Sequence, residues 1–247
     1  MENEEKPQGG QSKEAQSTAS SPIPHIPSPI SHPPSPIYLL SPTSKPGVRH
    51  LPMIHFTLIP QTIDFSGYDG LILTSKQGVV SLDEVSHGEW KRLPAAAIGK
   101  MTAEEIEKRG GKVIYIASKA YGDVLARELA ERFPGFRWLY ARPKVVVSKI
   151  AKDLREAGIE VDEAVIYETS CTCYDESRKP EKGAALIFTA PSIVKCFFEN
   201  FSWDESWRAV AIGNKTAQAF PDYVNPDISP STSLDEAIKF ARFSTPD

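Results

Sequence analysis

Two short strings recur in this chain, and each ends in residues that could bind a ligand. Leu71-Ile-Leu-Thr74 runs into Ser75, and Leu186-Ile-Phe-Thr189 runs into Ala-Pro-Ser192. Further along, Ala95-Ala-Ala-Ile-Gly99-Lys-Met-Thr102-Ala103 matches Ala209-Val-Ala-Ile-Gly213-Asn-Lys-Thr216-Ala217, at the same offset to within one residue. Glycine lets a ligand approach the backbone, and a hydroxyl at a helix start caps it. The N–H groups left over at a helix start suit carboxylates or phosphates. The candidate binding set is therefore Thr74, Ser75, Gly99, Thr102, Thr189, Ser192, Gly213 and Thr216, with Thr102 and Thr216 expected as caps. One such site alone reads as ordinary capping; the same pair occurring twice favours binding.

The motifs of other chemistries are missing from the sequence. No GxxxxGK[ST] or GxGxxG string occurs, nor a GxSxG elbow, an HExxH pair or a closely spaced acid pair. The five histidines form no ligand pattern, and no cofactor or metal is expected. Lys76, Lys100, Lys195 and Lys215 stand beside the motifs and could meet carboxylates, although surface lysines are ordinarily solvated. The three cysteines, Cys171, Cys173 and Cys196, are an odd number without a disulfide framework, which fits a reducing cytoplasm. Cys196 beside Phe197 reads as core.

These strings need a scaffold of alternating strands and helices. Strand patterns cover Ile37 to Leu40, His55 to Ile59, Gly70 to Thr74, Ala95 to Ile98, Val113 to Ile116, Arg137 to Tyr140, Val161 to Glu168, Ala184 to Thr189 and Arg208 to Ile212. Helical patterns cover Thr102 to Arg109, Tyr121 to Arg132, Val145 to Ala157, Ser192 to Asn200, Thr216 to Phe220 and Leu234 to Arg242, and the repeat places another after Thr74. Strand followed by helix predicts parallel sheets of the α/β class, and the internal repeat predicts two similar halves. In such sheets ligands bind beyond the carboxyl ends of the strands.

The composition allows this. The chain has 247 residues, 40% hydrophobic and 24% charged, enough for one large or two small domains. A net charge of -4 gives no support to nucleic-acid or membrane-surface binding. No apolar run is long enough to span a bilayer, and the opening Met-Glu-Asn-Glu-Glu lacks the basic start of a signal peptide. A cytoplasmic location is expected. Residues 1–36 hold eight of the 21 prolines and few apolar clusters, which predicts a disordered tail with polyproline II character.

Taken with Glu163-Ala-Val-Ile-Tyr-Glu-Thr169, the recurring strings resemble the uroporphyrinogen-III synthase family of tetrapyrrole biosynthesis, from Ile37 to about Arg242. The resemblance implies two flavodoxin-like parallel-sheet domains joined by a two-stranded connector. The terminal domain would be 37–54 plus 171–247, and the inserted domain 57–166. It also implies a lyase that cyclises and dehydrates hydroxymethylbilane with inversion of ring D, without cofactor. The chain would act as a monomer with that bilane as its partner and hydroxymethylbilane synthase as a candidate donor. Tyr167 is the catalytic candidate, a connector phenol facing the cleft that could hydrogen-bond the leaving hydroxyl; as a strand tyrosine it could equally only pack.

The sequence departs from the family at two places. Ser41 to Pro52 is too short and too rich in proline for the family's first helix, which leaves one face of the terminal sheet thinly covered. Ala190 stands where the first half has Ser75, with Ser192 as a possible substitute. A rival class is a non-catalytic hinged two-domain protein that binds a small acidic ligand, since fold alone does not separate the two. A scaffold working through the proline-rich tail is a third.

Overall fold

The strands that end in the recurring strings are buried along their whole length. β4 (Gly70–Leu73) and β9 (Ala185–Phe188) expose no residue, the pattern of a parallel strand covered on both faces. The computed structural model describes residues 35–146 and 148–243. The expected disordered tail lies outside the described residues except for its last two positions.

From Ser35 onward the chain forms one compact unit with two sheets. The first contains β1 (Ile37–Leu39), β2 (Arg49–His50), β9, β10 (Arg208–Ala211) and β11 (Asp227–Ile228), all parallel, in the order β11-β10-β9-β1-β2. The second contains β3 (Ile54–Leu58), β4, β5 (Pro94–Ala97), β6 (Lys112–Ile116), β7 (Trp138–Pro143) and β8 (Val161–Cys171), in the order β3-β8-β7-β4-β5-β6. Within it only β3 and β8 run antiparallel, pairing from Ile54 with Cys171 to Leu58 with Tyr167. This is the expected two-stranded connector.

The repeat extends to strand register. Leu71 faces Ala95 and Leu73 faces Ala97, as Leu186 faces Ala209 and Phe188 faces Ala211. The chain leaves both second strands alike, with Ile98 N donating to Leu73 O at 3.1 Å and Ile212 N to Phe188 O at 2.9 Å.

Alternating strand residues feed two faces. In the first sheet Leu186 and Phe188 pack on Ile193, Val194 and Phe197 of α5 (Pro191–Asn200). Ala185 and Ile187 pack on Ala237, Ile238 and Ala241 of α7 (Leu234–Phe243). In the second sheet Leu71 and Leu73 lie against α1 (Lys76–Val85) and α2 (Lys100–Lys108). Ile72 and Tyr140 lie against α3 (Gly122–Arg132) and α4 (Ile150–Glu156).

Residues 41–53 form turns and the edge strand β2, with no helix. Leu51 and Met53 instead plug into the core beneath α5. The α7 face gains one apolar residue, Val48, from this segment, together with a Lys45–Asp235 ion pair at 2.8 Å and a hydrogen bond from Arg242 to Gly47 O at 3.1 Å.

Two helices differ from expectation. α4 begins at Ile150 instead of Val145 because β7 runs on to Pro143 and the β-branched Val145 and Val146 disfavour a helical start. α6 (Asn214–Ala217) is a single turn.

Candidate functional site

The two predicted residues at the end of β4 meet phenols from two neighbouring strands. Ser75 is the N-cap of α1, its Oγ accepting from Gly78 N at 2.8 Å. The same Oγ lies 3.1 Å from the Tyr167 hydroxyl. Tyr167 is buried, not facing open solvent, and its ring meets Phe56 edge-on at 5.9 Å. Phe56 in turn packs against the cores of both halves, so Tyr167 sits where the connector joins them.

Thr74 Oγ1 lies 3.4 Å from the hydroxyl of Tyr140, a buried residue of β7. Sequence reasoning assigned Tyr140 to a strand and nothing more. Its contact with Thr74 depends on β7 and β4 being neighbours, which no local pattern reveals. Burial raises the pKa of both phenols, opposed by the Ser75 bond at Tyr167 and by the Thr74 bond at Tyr140. Both are neutral at physiological pH and act as hydrogen-bonding groups.

The second device is built differently from its sequence reading. Gly99 and Gly213 occupy the N-cap positions of α2 and α6, with no side-chain cap at either. Gly99 O accepts from Thr102 N and Ala103 N, both at 3.1 Å; Gly213 O accepts from Thr216 N and Ala217 N, both at 3.0 Å. Thr102 and Thr216 are thus buried in the third helical position and do not cap. The glycine backbone is extended at both places, so no sharp turn demands glycine. α6 has too few peptide units to match the dipole of α2.

At the end of β9, Thr189 is half-buried. Ala190 is the N-cap of α5 and supplies no hydroxyl; Pro191 opens the helix, and Ser192 is exposed within its first turn without capping. Among the lysines, Lys100 pairs with Glu104 at 3.9 Å and Lys195 with Glu199 at 3.7 Å, while Lys76 is exposed.

The remaining lysine links the halves. Lys215 Nζ lies over the exposed ring of Tyr121 at 4.7 Å, and the adjacent Ala120 lies where a side chain at Gly99 would point, 3.4 Å from a Cβ built there. The two glycine loops are therefore brought together by Ala120 and Tyr121.

The cysteines need correction. Cys171, the last residue of β8, is disulfide-bonded to the buried Cys196 of α5, and Cys173 is a free, exposed thiol. Cys196 is core, as expected, but not unpaired. Among the described residues no helix is long and apolar enough to cross a membrane.

A duplicated α/β chain with two parallel-rich sheets and an antiparallel connector defines a two-domain α/β class. The family model "Uroporphyrinogen-III synthase HemD" matches residues 44–238, and the chain belongs to that family. The chain is similar to the crystal structure of uroporphyrinogen-III synthetase from Helicobacter pylori, with 28% identity and a TM-score of 0.71 over 84% of this chain and 98% of that one. A mutant uroporphyrinogen III synthase from the extremely thermophilic bacterium Thermus thermophilus shares the fold, with 16% identity and a TM-score of 0.53 over 83% of this chain and 96% of that one. No curated protein matches the chain by sequence.

Proposed function

We propose that the chain is a uroporphyrinogen-III synthase, a hydro-lyase that closes hydroxymethylbilane into the macrocycle with ring D inverted. The observation that carries this reading is family membership running from 44 to 238, through both sheets and both connector strands. The two working bodies are 37–54 plus 171–247 and 57–166, closing on the bilane about β3 and β8. The enzyme works as a monomer in the cytoplasm, and hydroxymethylbilane synthase supplies its substrate.

The chemistry asks little of the protein beyond placement. Loss of the terminal hydroxyl gives an azafulvene, the substituted carbon of ring D attacks it to form a spiro intermediate, and fragmentation and reclosure follow. Pyrrole electrons drive these steps. The protein folds the bilane so that the productive carbon lies nearest, an orientation effect. The substrate's carboxylates meet the N-terminal ends of α1, α2 and α5, near Thr74, Ser75, Gly99, Thr189 and Ser192. Gly213 lets a carboxylate approach the backbone beside Lys215, and Thr102 and Thr216 hold the loops from within.

Tyr167 is the acid in this reading. A serine oxygen has two lone pairs and one hydrogen. With Tyr167 donating, Ser75 Oγ takes both the phenol and Gly78 N–H and keeps its own hydrogen for the substrate. The leaving hydroxyl then replaces Ser75 as the acceptor of the Tyr167 proton, a contact that forms only with substrate present.

The test is isomer analysis of oxidised product from freshly generated hydroxymethylbilane. Type III supports the enzyme. Type I alone, as in the spontaneous closure, rejects it and would leave the hinged binding protein.

A further inference from the structure

We propose that Cys171–Cys196 is a thiol–disulfide exchange site, in which low-molecular-weight thiols lock and unlock the connector against α5. The inference rests on the connector acting as a hinge in the reading above, and its test does not need activity.

Cys171 is where β8 ends, opposite Ile54 of β3, and Ile54 belongs to the core beneath α5. The bond therefore fastens the root of the connector to the helix whose first turn holds Pro191 and Ser192. Without it the root keeps non-covalent ties, among them Thr172 N to Met53 O at 2.9 Å and Asn200 Nδ2 to Thr172 O at 2.9 Å. The pair is thus a clamp on a structure that is assembled without it. Tyr167 lies four residues up the same strand, so the clamp bears on the phenol that meets Ser75.

Access sets the order of events. Cys171 is half-buried and Cys196 buried, so an incoming thiolate reaches the Cys171 sulfur first. It forms a mixed disulfide there and expels the Cys196 sulfur. A Glu199 oxygen lies within 4.8 Å of both sulfurs, and a carboxylate favours a neutral thiol beside it, so Cys196 takes up a proton as it leaves. A second thiolate releases Cys171. The sum is one protein disulfide and two small thiols giving two protein thiols and one small disulfide, such as oxidised glutathione, which drives the reverse. Cys173 is spectator and reporter, the one thiol open in both states.

The test equilibrates the full chain anaerobically in glutathione mixtures, quenches with acid, alkylates the unfolded chain and reads intact mass. One alkylated cysteine at the oxidised end and three at the reduced end, with the last two appearing together, is expected; Cys173→Ser should give none and two, which separates a glutathione adduct on Cys173 from the bond. Reduction of the unmutated protein should lower its melting temperature by roughly 7–14 °C, from the entropy of a loop spanning 25 residues, and broaden its small-angle scattering. Cys171→Ser should reproduce the reduced state, and reducing the parent gives the same reading if that variant does not fold. Three thiols at every glutathione ratio would overturn the site. Unchanged melting and scattering on reduction would overturn the clamp. A chain inactive in bilane closure that still passed these tests would count against the enzyme and not against the exchange site.

Discussion

The hydroxyl of Tyr167 on the connector lies 3.1 Å from Ser75 Oγ at the start of α1. One hydrogen bond thus joins the connector strand to the N-cap of α1, and Gly78 N–H is already on the same serine oxygen.

Tyr167→Phe removes that bond and keeps the ring against Phe56. Loss of a general acid typically costs about 100-fold or more in turnover, while one hydrogen bond contributes about 1 kcal/mol to stability. Steady-state kinetics with a melting curve should show a large fall in kcat and a small fall in Tm. Near-normal turnover with unchanged melting would remove Tyr167 from the chemistry.

The two buried phenols give an alkaline signature. Burial raises their folded pKa above the unfolded value, about 10. The stability from burying them neutral is fully present below that value, and it is lost as pH rises through the folded pKa. Urea unfolding between pH 9 and roughly 11 should fall more steeply in the parent than in Tyr140→Phe. Equal slopes would show that Tyr140 is not held neutral by the fold.

The elements that carry the devices were legible because their patterns are strong. Leu71 to Thr74 and Leu186 to Thr189 are apolar runs too short for helices, and their duplication predicted two similar halves; the matching pairs Leu71/Ala95 and Leu186/Ala209 extend that likeness to register. β2 and β11 were not legible, since two residues carry no periodicity. The threonines were misplaced by one turn: Ile-Gly-x-x-Thr reads as a cap at Thr, but the chain enters the helix at Gly, which rotates Thr102 and Thr216 inward. Cys171 with Cys196 and Tyr140 with Thr74 are tertiary meetings between distant segments, and no spacing encodes them.

If the glycine loops are approached by ligand, Gly99→Ala and Gly213→Ala should separate folding from binding. The backbone is extended at both, and the nearest atoms to an added Cβ are Ala120 Cβ at 3.4 Å and Thr232 Cγ2 at 3.8 Å. Removing backbone freedom from the unfolded chain should make both variants neutral or more stable, by up to about 1 kcal/mol. KM for the bilane should rise. Unchanged KM in both would mean that the loops do not touch substrate.

Gly70 is a contrasting case. A Cβ there would lie 2.6 Å from the Trp138 ring, itself fully buried. Gly70→Ala should cost about 1–3 kcal/mol by overpacking, read as a drop in the denaturation midpoint at constant slope. A midpoint equal to the parent's would show that Trp138 moves aside without cost.

The central claim is that this chain steers bilane closure instead of only binding tetrapyrrole. The direct measurement is the isomer composition of oxidised product formed from hydroxymethylbilane, in chelator and without nucleotide, as enzyme concentration is raised. The account predicts a type III fraction that climbs toward completeness. A product that remains type I at every enzyme concentration would contradict it.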